Sequence, residues 1–414
     1  MYKNIRHFNL FVGLVISLFF FPSITFGTIE AEVFPWGIML SGLILYKQKK
    51  INAYFVLFLT ALLLNIVLFS IINITDLRIP EVIRSCLAYL NSAICFVAFY
   101  QASENSILKT IRLVKSIFIF LLVLGILQAY GFIGFLDPIF KFLIPRASSE
   151  SLAHVWRGVT LLSTEPARAG VSLTFLYIVV RTVYIKKRKI LIDFLFLVYM
   201  LIILKSIMAL SIYIIYLVFV YRFRLVKVII AGAVFLLFMD TYSGSGRAFQ
   251  MVKKLQKQES FEDAQMVVID LAGPRIISIY SSWLYSSDNV LGGGIGRWRT
   301  TSVEALKMTK MDFSKINYFK FKGDSKPIPI RSSGYVSNLV LDTGYFGVFI
   351  FLIFVLSILK RFWRVDDDSK NIILIFLFKI LFIGSVGPPV AWIAAIITLK
   401  YISYKKNYLL NSTS

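Results

Sequence analysis

Twelve apolar runs of 15 to 24 residues constrain this chain more than any other feature. They lie at 8–26, 31–46, 52–73, 81–100, 113–130, 166–184, 190–204, 206–221, 225–241, 336–359, 371–385 and 388–403. A bilayer core about 30 Å thick is crossed by roughly 20 residues of helix. Lipid offers no partner to a bare peptide group, so such runs cross it as helices. The expected fold class is therefore an all-α polytopic membrane protein with about 12 transmembrane helices. A mean hydropathy of +0.76 and a charged fraction of 16% exclude an ordinary soluble domain. The first run follows Lys3 and Arg6 with no small-residue cleavage pattern behind it, and reads as a retained helix.

The net charge of +23 would suggest nucleic acid in a soluble protein. Here most Lys and Arg cluster beside apolar runs, as membrane orientation requires, and a nucleic-acid partner is rejected. On one side lie Lys3/Arg6, Lys47/Lys49/Lys50, Lys109/Arg112/Lys115, Arg181 with Lys186–Lys189, Arg222/Arg224/Lys227, Lys360/Arg361/Arg364 and Lys405/Lys406. On the other lie the turn at 28–32, the connections 73–80 and 131–165, a turn near Lys205, the long segment 242–335, and 384–389. The positive-inside rule puts the first set, and both termini, in the cytoplasm. The interval 190–221 is either one long tilted helix or two short ones broken near Lys205-Ser206. The basic clusters at 222–227 and 360–364 favour two.

The expected organisation is helices one to nine over 1–241, an extracytoplasmic loop over 242–335, three helices over 336–406 and a disordered tail over 407–414. The loop holds fourteen basic and eight acidic residues, a net +6. Its charge is compatible with an external position because the orientation rule weakens in loops beyond about 60 residues. Cys86 and Cys95 fall in one predicted helix about 13 Å apart, too far to bridge within it. With only His7 and His154, no histidine-based metal cluster is available. No metal and no cofactor is expected.

Chemistry concentrates in the two longer external segments. The stretch 137–145 reads as an interfacial amphipathic piece. After it, Arg157-Gly158 is followed by Glu165-Pro166 and Arg168. Proline suits the first helical turn, which leaves Glu165 at the helix mouth as a cap or as a reactive carboxylate. In the long loop, Gly273-Pro274-Arg275 precedes Trp283 and the run Gly292-Gly293-Gly294-Ile295-Gly296, which reads as a phosphate cradle or a flexible loop. Ser337-Asn338 and Asp342 open the next apolar run, ahead of Gly344 and Gly347.

These motifs, in this order, resemble bacterial O-antigen and capsule polysaccharide polymerases (Wzy-type) and the related O-antigen ligases. The long-loop stretch is similar to that superfamily's Ser-Gly-Arg, Trp and Gly-x-Gly-x-Gly series, although Pro274 stands between Gly273 and Arg275. Ser245-Gly246-Arg247 matches the tripeptide better but lies far from the glycines, so Arg275 is favoured and Arg247 held in reserve. Ser337 occupies the position where ligases carry histidine, which favours a polymerase.

The resemblance implies a GT-C-like, metal-independent, inverting glycosyltransferase in the bacterial cytoplasmic (inner) membrane, with its site on the outer face. Its donor and acceptor would be undecaprenyl-diphosphate-linked oligosaccharides, with membrane lipid and a chain-length regulator protein as further partners. Arg157 and Arg275 would hold the diphosphate, because guanidinium groups bind phosphate oxygens bidentately and stay charged. Glu165 would be the base, with Asp342 second, while Ser337 and Asn338 would orient the acceptor and Arg168 and Arg247 would add substrate contacts. The competing readings are a ligase and a lipid-linked oligosaccharide flippase. A flippase is expected to carry charged residues on several helices and paired broken helices.

Overall fold

A computed structural model describes residues 24–25, 32–33, 36–48, 51–72, 78–102, 104–143, 153–154, 158–184, 186–222 and 274–412. Fourteen α-helices carry them: α1 (Trp36–Gln48), α2 (Ala53–Ile72), α3 (Ile79–Gln101), α4 (Glu104–Ala129), α5 (Asp137–Leu143), α6 (Pro166–Val183), α7 (Lys186–Tyr199), α8 (Ile207–Tyr221), α9 (Pro274–Asp288), α10 (Trp298–Met308), α11 (Asn317–Lys322), α12 (Tyr335–Trp363), α13 (Asp367–Phe382) and α14 (Val390–Ser412). Two small antiparallel ribbons accompany them, β1 (Ile24–Thr25) with β2 (Glu32–Val33) and β3 (Ala153–His154) with β4 (Gly158–Val159). Ten of the twelve apolar runs are helical. The run at 225–241 lies outside the described residues, and of 8–26 only Ile24-Thr25 is described, as strand and not helix.

Four helices are long and apolar enough to cross a membrane: α2, α3, most of α4 (from Ile107) and α12. The runs 206–221 and 371–385 give helices of 15 and 16 residues, short of a full bilayer crossing at 1.5 Å per residue. The expected disordered tail is instead a continuation of α14, which runs to Ser412.

The interval 190–221 is two helices. A π turn (Met200–Leu204) ends α7, Lys205 takes a left-handed conformation (φ +47°), and the Ser206 side chain caps α8. The Tyr213 hydroxyl then donates to the Asp193 carbonyl at 2.7 Å. In one continuous helix those residues would stand about 30 Å apart, so the chain doubles back at Lys205.

The connections sort into two ends. At the basic end, Lys189 pairs with Asp368 at 3.1 Å, Arg222 with Asp367 at 3.7 Å, and Lys400 reaches the Tyr100 carbonyl at 2.9 Å. At the opposite end, Ser92 donates to Val386 and Asn91 to Gly387, while the Gly334 amide donates to Gly384. The described connections around 102, 189, 222 and 367–368 thus gather at one end, and those at 334 and 384–387 at the other.

Between the ends, Phe96 stacks on Phe376 at 5.6 Å, and the Trp392 ring meets both edge-on at 5.5 and 5.0 Å. Ala391, Ala394 and Ala395 are buried on α14 and permit the close helix approach that drives association in lipid. Near the basic end, Arg181 makes two bonds of 2.7 and 2.9 Å to buried Asp193, enclosed by the Tyr177, Tyr213, Tyr216 and Tyr221 side chains.

The described part of the long loop is woven into the bundle. Ser332 donates to the Ser278 carbonyl and Ser286 to that of Val340, a constant offset of 54 residues, so α9 runs parallel to the start of α12. Four of the six buried residues of α9 are serines, small enough to let it lie against α12. A second small core of Ile277, Leu306, Ile316 and Phe319 joins α9, α10 and α11.

Candidate functional site: an arginine-lined cavity

A cavity of about 400 Å³ opens at the end opposite the basic loops, where α1, α3, α6, α8, α9, α10 and the connection between α13 and α14 converge. Five arginines line it: Arg84, Arg168, Arg275, Arg299 and Arg331. Glu165 is the one acid in the lining. A cleft lined by charge of one sign with low-dielectric walls focuses the field and concentrates counter-ions, so this one selects an anion.

Local structure fixes each of these groups. Pro166 starts α6 and Glu165 is its N-cap by backbone, yet the Glu165 side chain makes no capping hydrogen bond. The carboxylate faces the cavity instead. The segment before it is held by Gln128, whose amide donates to the Leu161 carbonyl at 3.0 Å and whose oxygen accepts from the Leu161 amide at 2.9 Å. That bracket secures Leu161 in a left-handed conformation (φ +53°) at the approach to the helix mouth.

Arg275 occupies the first turn of α9. Partial burial lowers its guanidinium below the usual value, with nearby Glu165 opposing that shift and Arg168 reinforcing it. The residue as a whole stays exposed. The Arg299 Nε lies 2.9 Å from buried Glu81, and Arg331 donates to the Ser85 hydroxyl. Both guanidinium groups lie over the Trp298 ring, at 5.4 and 5.2 Å, a stacking that leaves in-plane N–H groups available to an oxyanion. Trp298 Nε1 and Arg331 Nε are buried with no hydrogen-bond acceptor among the described residues, a condition that marks a polar site open to a partner.

The residues anticipated from sequence divide into three groups. Glu165, Arg168, Arg275 and Asn338 line the cavity. Asn338 spends its amide on the Ser332 and Gly334 carbonyls, at 2.5 and 2.6 Å, and so shapes the turn that presents Arg331, Ser332 and Ser333. Ser337 and Asp342 stand outside the lining. Ser337 donates to the Leu381 carbonyl at 2.9 Å, and Asp342, 2% exposed, accepts from the Tyr89 hydroxyl at 2.8 Å. Both face helix partners because they fall on the buried side of α12. Arg157 and Arg247 lie outside the described residues.

No family model, curated protein or solved structure matches this chain. The geometry of the cavity therefore carries the functional argument.

The glycine run is neither a phosphate cradle nor a free loop. The amides of Gly292, Gly293, Gly294 and Ile295 donate to Asn289, Leu341, Asp342 and the Asn65 side chain at 2.8 to 3.1 Å. Gly344 breaks α12 (φ +65°, ψ −166°), and the glycine run satisfies carbonyls that the broken helix leaves open. The close approach requires glycine, since a β-carbon on Gly292 would stand 2.5 Å from the Gly344 nitrogen.

Arg84, Arg299 and Arg331 were not singled out from sequence. The available signal was weak but real: Arg84 sits inside an apolar run, where an ionisable side chain marks function by default. Arg299 and Arg331 flank the glycine run and α12 with nothing in their immediate context to separate them from the other loop cations.

Proposed function

We propose that this protein is a membrane-embedded glycosyltransferase that polymerises undecaprenyl-diphosphate-linked oligosaccharide units. The observation that carries the reading is the cluster of five arginines around one carboxylate at the end of the bundle away from the basic loops. By the positive-inside rule that end faces out of the cytoplasm, where lipid-linked repeat units are joined.

In this reading Arg275, Arg168 and Arg331 hold the donor diphosphate, because forked guanidinium groups match phosphate oxygens and remain charged. The bond between the sugar anomeric carbon and the diphosphate oxygen breaks, and its electron pair leaves on the lipid diphosphate. The acceptor hydroxyl attacks from the opposite face, inverting the centre, and its proton passes to Glu165. Arginines preset around the leaving group stabilise the charge that develops on it without reorganising.

The experiment supplies purified protein with lipid-diphosphate repeat units and resolves the products by chain length. A ladder is expected from the wild type, and its loss from folded Arg275→Ala and Arg168→Ala. Transport of the units across a vesicle without extension, or wild-type ladders from both variants, overturns the reading.

A further inference from the structure

One buried cation is left unexplained by the cavity and the fold. Lys379 lies on α13, is 3% exposed, and makes no hydrogen bond or ion pair to any described residue. The other buried cation among the described residues, Arg181, is paired with Asp193. An unpaired ammonium taken out of water is costly, so a buried lysine of this kind on an apolar helix needs a reason.

Its position supplies one. Lys379 continues the buried stripe of Ile372, Ile375 and Phe376, and so points to the bundle interior. Phe376, nearly one turn further from the cavity, packs in the aromatic layer with Phe96 and Trp392. Beyond Lys379 the helix ends at Phe382, and Gly384–Pro388 forms one wall of the cavity. A β-carbon built on Gly384 would meet one group within 4 Å, the Lys379 Cε at 3.9 Å. Lys379 is not itself in the lining, but its Cε comes close behind a wall residue that has no side chain.

We propose that Lys379 is a further anion-binding residue of this cavity, whose counter-charge is brought by a diphosphate ligand and not by the protein. Glu165, the one acid of the lining, interacts with Arg275 at the rim, and Asp342 is bonded to Tyr89. The unliganded protein thus holds this amine at a cost that an anion removes. The inference rests on the proposed function only in taking the cavity to be a diphosphate site.

The test measures thermal midpoints and pyrophosphate affinity for wild type, Lys379→Met and Lys379→Gln in lipid nanodiscs. Methionine matches the lysine stem and removes the charge. The expected result is a higher midpoint for unliganded Lys379→Met, with pyrophosphate binding weakened at least tenfold in both variants. Wild-type affinity in either variant overturns the inference, and so does a lower unliganded midpoint for Lys379→Met, which would mean that the amine has a structural role. If the wild type itself does not bind pyrophosphate, the diphosphate reading of the whole cavity fails, a result distinct from failure at Lys379.

Discussion

The Gly294 amide donates to the Asp342 carbonyl at 2.9 Å, tying the glycine run of the long loop to the middle of a broken membrane helix. The same run meets α2 through Asn65, which donates to the Leu291 carbonyl at 3.2 Å and accepts from the Ile295 amide. A motif that looks like a ligand loop is here a lock between α2, α9 and α12. Arg299 follows that lock by three residues, in the first turn of α10.

Alanine at Gly292 or Gly344 is therefore expected to cost more than 2 kcal/mol. Both have positive φ, and an added β-carbon would strike backbone: Asp342 and Gly344 for one, Val290 for the other. Gly131 also has positive φ (+73°) but open space around it, so Gly131→Ala should cost only about 1 kcal/mol. Thermal midpoints of the three variants in one detergent check the ranking.

Asp193→Asn should destabilise by about 3 kcal/mol, because it leaves Arg181 buried without its counter-charge. Replacing both partners with apolar residues, as in Arg181→Met with Asp193→Leu, should restore most of the loss. A double-mutant cycle on unfolding midpoints reads the coupling.

Arg331→Ala is expected to weaken pyrophosphate binding at least tenfold, about 1.4 kcal/mol. Arg331→Lys should recover only part of this, since lysine keeps the charge but loses the fork and the stack on Trp298. Titration calorimetry on the two variants separates charge from geometry.

Glu165→Gln should leave pyrophosphate affinity within about threefold of wild type while abolishing chain extension by at least a hundredfold, the scale of a lost general base. Because the Glu165 side chain caps nothing, the thermal midpoint should not fall. A falling midpoint with retained extension would return this residue to a structural role.

At the turn between α7 and α8, Lys205→Gly should stabilise by about 1 kcal/mol, as glycine takes the left-handed conformation without penalty. Ser206→Ala should destabilise by a similar amount through loss of the α8 cap. Opposite signs from adjacent residues would establish the turn independently of its neighbours.

Residue order alone determined the helical class, the break at Lys205-Ser206 and the helix start at Pro166. These follow from local rules: the length a bilayer demands, the placement of basic residues beside apolar runs, and the backbone preference of one or two residues. Tertiary structure alone decided which arginines meet, since Arg84, Arg168, Arg275, Arg299 and Arg331 are spread over nearly 250 positions and nothing local brings them together. It also turned the glycine run into a structural lock, removed Ser337 and Asp342 from the site, and left Lys379 unpaired. Each of those outcomes depends on which surface of one helix faces another, a relationship set by packing across the whole bundle and carried by no single stretch of chain.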